Sequence, residues 1–157
     1  MKKKKVVVIS LLLLLVSVIG ISSYFLFKDK INLLDVDHSA VDWNGKKQKD
    51  TSGEENKIAI PGFEKVKLYA NETKQAVNFH NPEINDCYFK ISLIHPDGSV
   101  LWISDLIEPG KGMYSIELEK TLAVGEYENA VLKYECFSLN DQSPLNGSEI
   151  NLKLVVV

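Results

Sequence analysis

An uncharged run of 22 residues, Val6 to Phe27, restricts this chain more than any other feature: it is entered from Lys2–Lys5 and left through Lys28, Asp29 and Lys30. A helix needs about 20 apolar residues to cross ~30 Å of hydrocarbon, whereas the apolar part of a cleaved secretion signal holds about 7 to 15. Small residues of the kind a signal peptidase accepts, near Gly20 and Ser22, lie inside the run and not behind it. The length therefore predicts an uncleaved signal anchor, one transmembrane helix over 6–27. Positive charge beside a span stays on the cytoplasmic side, so 1–5 is expected in the cytoplasm and everything beyond Phe27 outside the cell. No cysteine closes the run, which excludes a lipid anchor of the bacterial lipoprotein kind.

Charge is split between the two sides. All 21 carboxylates follow Phe27, against 14 of the 18 lysines, so the exported part carries a formal −7 while the whole chain carries −3. A nucleic-acid partner would want a basic footprint, and none is expected. The same acidity disfavours lying flat on an anionic bilayer.

Residues 28–57 are predicted to be a polar tether, since the stretch from Asn44 to Asn56 has too little apolar surface to offset ordering. Ala40, Val41 and Trp43 form an apolar island in it, with Trp43 free to dock on the domain, on a partner or at the membrane interface. From Ile58 the pattern becomes short runs of period two between turn residues. These include Val66 with Leu68, Val77 with Phe79, Cys87 through Leu93, Val100–Ile103, Tyr114 through Leu118, Gly125–Leu139 and Ile150 through Val156. His95-Pro96-Asp97-Gly98 reads as a tight turn. About seven strands over 58–157 predict an all-β fold, an immunoglobulin-like or fibronectin-like antiparallel sandwich. Gly125 and Tyr127 ahead of the longest strand are similar to the tyrosine corner of such domains, provided a bulge near Asn129 corrects the phase of Tyr127.

Cys87 and Cys136 occupy core-phase positions on strands expected to be antiparallel neighbours, both at the same end of the sheet. An even count outside the cell predicts a disulfide between them. Two reduced, buried thiols are the alternative. His38, His80 and His95 match no metal-ligand spacing and are read as surface or turn residues, and no nucleophile elbow is present. Catalytic, cofactor and metal residues are therefore expected to be none, and the protein is read as no enzyme. Trp43, Tyr69, Tyr88, Trp102 and Tyr114 are the aromatic candidates for an interaction face, with Phe137 beside them.

Ile58-Ala59-Ile60-Pro61-Gly62-Phe63, Asn81-Pro82, Cys87-Tyr88-Phe89, Glu108 through Gly112, Tyr134 through Phe137 and Leu145-Asn146-Gly147 together resemble a group of small membrane-anchored proteins of Gram-positive bacteria. The resemblance covers about 100 residues. It implies the location and the fold, and carries no activity and no site residue. The expected function is a membrane-tethered cell-surface interaction module that binds a protein or an envelope polymer. The alternative is a structural accessory subunit of an envelope, secretion or conjugation apparatus.

Overall fold

A computed structural model describes residues 33–45 and 58–157. The expected transmembrane helix over 6–27 lies outside the described residues. Among the described residues, no helix is long and apolar enough to cross a membrane.

The described residues form eight strands: β1 (Val41–Asp42), β2 (Lys65–Leu68), β3 (Lys74–His80), β4 (Cys87–Ile94), β5 (Val100–Ile103), β6 (Lys111–Glu117), β7 (Gly125–Ser138) and β8 (Pro144–Val156). They form a three-stranded sheet, β1-β6-β3, and a five-stranded sheet, β2-β8-β7-β4-β5. β2 runs parallel to β8, and the other strand pairs are antiparallel. The fold is all-β.

Alternation of side chains across a pleated strand explains where the core lies. Phe89, Ile91 and Leu93 of β4 and Ala130, Leu132, Tyr134 and Cys136 of β7 are buried, while Tyr88 and Lys90 and then Lys133, Glu135 and Phe137 on the opposite face are half-buried. Phe79, Met113 and Ile116 of the other sheet complete one continuous core. Phe89 meets Tyr134 edge to face at 5.3 Å between ring centres. The Tyr134 hydroxyl donates to Pro61 O at 3.3 Å, and burial pushes its pKa far up.

One buried polar cluster ties loops to strands. The Asn81 amide donates to Cys87 O at 2.8 Å and to Ile107 O at 2.9 Å, and its oxygen accepts from the Asn85 amide at 2.8 Å. Asn85 also takes the Ala59 N–H at 2.7 Å and donates to Ala59 O at 2.9 Å. Both side-chain oxygens and all four amide hydrogens are thus engaged. Residues 58–60, which open the run of short period-two stretches in the sequence, form no strand and are instead held against the core through this clamp.

The turn between β4 and β5 is as expected. Gly98 adopts φ 86° and donates to His95 O at 2.8 Å. Tyr127 donates back to Ala123 O at 3.0 Å, and a bulge between Tyr127 and Ala130, with Asn129 at φ 61°, restores the core phase.

The tether boundary differs from the expectation. Residues 34–45 group with the strands, because the segment finds backbone partners on the domain. Leu106 N–H donates to Asp35 O, Asp37 N–H to Leu106 O, and Trp43 N–H to Gly110 O. The Leu34 N–H donates to Gln142 Oε1 at 2.6 Å, and the Gln142 amide returns to Leu34 O at 3.0 Å.

Truncating Asn81 to Ala removes its bonds to Cys87 O and Ile107 O and strands the Asn85 amide, while Ile107 O keeps the Phe89 N–H, and is expected to cost about 2 kcal/mol. Urea unfolding of the exported part, with Asn140→Ala as an exposed control close to zero, measures it.

Candidate interaction surface

The outer face of the five-stranded sheet is built from the positions that alternate with the core. Register sets Tyr88 opposite Phe137 and Phe137 opposite Pro144, an apolar rung running across β4, β7 and β8. Below it Lys90 faces Glu135, and below that Ser92, Lys133 and Glu149 stand in one row. Lys133 Nζ lies 3.5 Å from Glu135 Oε1. Rungs of one face are the unit through which a sheet presents a surface.

Between β7 and β8 this face opens into a groove of about 340 Å3. Lys133, Glu135, Phe137, Pro144, Leu145 and Glu149 are among its walls. The groove originates in a bulge: pairing is regular as far as Tyr134 with Ser148 and resumes at Cys136 with Leu145, leaving Asn146 and Gly147 opposite Glu135. A bulge re-aims side chains and bends its strand. Here the approach is so close that a Cβ on Gly147 would stand 2.2 Å from Tyr134 O. Only glycine fits.

Cys136 contributes to the groove, and its side chain points to the core with that of Cys87. Cys87 is opposite Ser138 and Cys136 opposite Phe89, so the two are diagonal neighbours on one face of antiparallel strands. Both are buried free thiols. A hydrogen bond with Cys136 holds the Cys87 thiol below its ordinary pKa, and the same bond, followed by burial, raises Cys136.

The five aromatic candidates are dispersed. Tyr88 stands on the groove's face. Trp102 does not: it is 7% exposed and packs 5.8 Å from Phe79 in the core. The cause is a register shift between Leu93 and Ile94 that lets consecutive residues of β5, Leu101 and Trp102, both be buried. Tyr69 is exposed, with Lys67 Nζ 5.6 Å from its ring centre. The Tyr114 hydroxyl accepts from Asn44 N–H and donates to Asn44 Oδ1, both at 2.9 Å, fastening the end of the β1 segment.

Trp43 docks on the domain. Its ring stacks on His80 at 3.8 Å and 9°, and its Nε1–H donates to Asn78 Oδ1 at 2.7 Å. Gly112 makes room beneath, since a Cβ there would stand 2.8 Å from the Trp43 ring. His80 is consequently a buried residue, 4% exposed, and not the surface histidine expected. Among the described residues, its Nδ1 has no hydrogen-bond partner. Burial lowers its pKa, with a backbone contact from Asn78 acting the other way. His38 and His95 lie at turns.

Among the described residues, no group of three or more His, Cys, Asp or Glu could hold a metal ion. No protein-family model, curated protein or solved structure matches the chain.

Because the folded His80 titrates below the unfolded value of 6.5, the unfolded chain takes up that proton first as pH falls. Stability should be flat at and above pH 7.5, decline as pH drops through 6.5, and level off below the folded pKa. His80→Phe should remove that part of the slope, measured as urea midpoints of both proteins between pH 7.5 and 5.

Proposed function

We propose that this protein is a membrane-tethered, non-enzymatic interaction module on the cell surface, and that the outer face of the five-stranded sheet holds a protein or an envelope polymer. The observation that carries the reading is the rung Tyr88–Phe137–Pro144 beside the bulged groove. Aromatic side chains flanked by paired charges bring large contact area at small entropic cost, and a polar border sets orientation. The anchor is the apolar run 6–27, with its lysines inside and the acidic part outside.

The finer reading of the fold is immunoglobulin-like. A strand order in which the short β2 lies parallel to the last strand, with β7 and β4 central, supports it, as does the Tyr127 contact before the long strand. In the oxidising space outside the cell the two thiols are proposed to close to a Cys87–Cys136 bridge. Each sulfur gives up its proton and one electron to a disulfide-bearing oxidant, which leaves as a dithiol.

The soluble part, residues 28–157, is expected to sediment with envelope material or to capture an envelope protein. Tyr88→Ala and Phe137→Ala should each weaken that binding about 10-fold or more while leaving the melting temperature nearly unchanged. Binding indifferent to both changes would remove this face from the proposal.

Protein recovered from an oxidising compartment should be two protons lighter than the dithiol chain by intact mass. Closing a loop of about 50 residues is worth about 4 kcal/mol, so reductant should lower the urea midpoint, and a Cys87→Ala, Cys136→Ala variant should not respond to it.

A further inference from the structure

We infer that the outer face of the five-stranded sheet is covered by the same face of a second copy of this chain, related to the first by a two-fold axis that runs along the strands between β4 and β7. The inference rests on the proposed reading of this face as an interaction surface and names its occupant.

The two sheets differ in what lies on their outer sides. On the three-stranded sheet the Trp43 ring already covers His80, stacked at 3.8 Å, with Gly112 making room for it. On the five-stranded sheet the outer rows end in exposed aliphatic side chains. Ile103, in the row of Ser92 and Lys133, is 47% exposed, and Val100, in the row of Ile94 and Val131, is 46% exposed. Both belong to the edge strand β5, which carries no charged residue. Charges are a usual guard of an exposed edge, so their absence fits a strand that is covered.

A two-fold interface has to be complementary to itself. The axis exchanges β4 with β7, so each residue of one strand faces, in the second copy, the residue that is its cross-strand neighbour at home. Tyr88 meets Phe137, Lys90 meets Glu135, and Ile94 meets Val131. These are aromatic on aromatic, charge on opposite charge, and aliphatic on aliphatic. In the remaining row Lys133 meets Ser92. No two like charges on these strands come to stand opposite one another.

Lys90 selects this axis over one that crosses the strands. Among the described residues Lys90 joins no ion pair, and Glu135 lies 3.5 Å from Lys133 instead. A crossing axis midway between the rows of Lys90 and Ser92 would set Lys90 on Ser92 and cover a half-buried cation without a carboxylate. The axis along the strands brings it Glu135 of the second copy, in the aligned arrangement usual for stacked sheets.

Size sets the strength. Five strands and the six-residue rise from Tyr88 to Ile94 make a face of about 20 Å by 20 Å. Two copies would together cover on the order of 1,000 Å2, the low end for a specific interface. The dimer is accordingly weak and dissociates on dilution.

Sedimentation equilibrium of the full chain in density-matched detergent tests this, with Lys90→Glu, Glu135→Lys and, on the other sheet, Lys74→Glu. The wild type and Lys74→Glu are expected to associate equally. Lys90→Glu and Glu135→Lys should each weaken self-association about 10-fold or more, because each sets like charges across the axis. An equimolar mixture of those two variants should regain the wild-type association, since each then meets its opposite in the other chain. Thermal melting of each variant separates this from damage to the fold. A mixture no tighter than its components overturns the pairing of Lys90 with Glu135. Association that no variant alters places the contact elsewhere in the chain and overturns the proposal. A monomeric wild type overturns the second copy as occupant, while binding of envelope material to Tyr88→Ala and Phe137→Ala reads the wider proposal for this face independently.

Discussion

The buried pair Asn81 and Asn85 is the interaction on which the rest of the domain depends. Four carbonyls and N–H groups from three separate stretches of chain, at Ala59, Cys87 and Ile107, end on these two side chains. None of those backbone groups could be left dry and unpaired in the interior without a penalty of about 1–3 kcal/mol each. The pair thereby fixes where β4 begins, and with it the register of β4 on β7. It also brings the entry segment at Ala59 against the core, where Pro61 O receives the Tyr134 hydroxyl.

From that register follows the outer face. Once Cys87 lies opposite Ser138, the pleat places Tyr88 and Phe137 side by side on the exposed side and Phe89 and Cys136 side by side on the buried side. One residue of slip would exchange the two sets and put Lys90 and Glu135 into the core. The bulge at Glu135 then separates β8 from β7 locally, and Gly147 closes it by a backbone approach that excludes any side chain. The groove, between β7 and β8, and the thiol pair, between β4 and β7, thus share the strand β7.

The segment from Leu34 to Gly45 illustrates the same dependence from outside the sheets. It is short and polar, and it is held by distant partners: Leu106, Gly110 and Gly112, more than 60 residues away in sequence, for its backbone, and His80 for the Trp43 ring. Covering His80 with Trp43 buries an imidazole nitrogen without a partner. Burial thereby disfavours the charged form of His80.

Periodicity along the chain by itself determined that most of 65–156 runs as alternating strands, that Cys87 and Cys136 face inward, and that His95–Gly98 turns the chain. These depend on contacts within a few residues, where alternation and turn chemistry are written directly. The placement of Tyr127 was legible for the same reason, since its partner Ala123 is four residues away. Trp102 was not. Its inward position follows from a register shift between β4 and β5, which no local pattern records. Nor was the packing of residues 34–45, whose composition matches a tether and whose order comes from bonds to distant strands. The groove is the furthest removed from the sequence, because its rung takes one residue from each of three strands and its opening comes from a one-residue excess on β8. Side-chain alternation is a property of one strand, and the sequence determines it. Which strands lie side by side, and at what offset, is decided only when buried polar groups and core side chains are satisfied together in the tertiary structure.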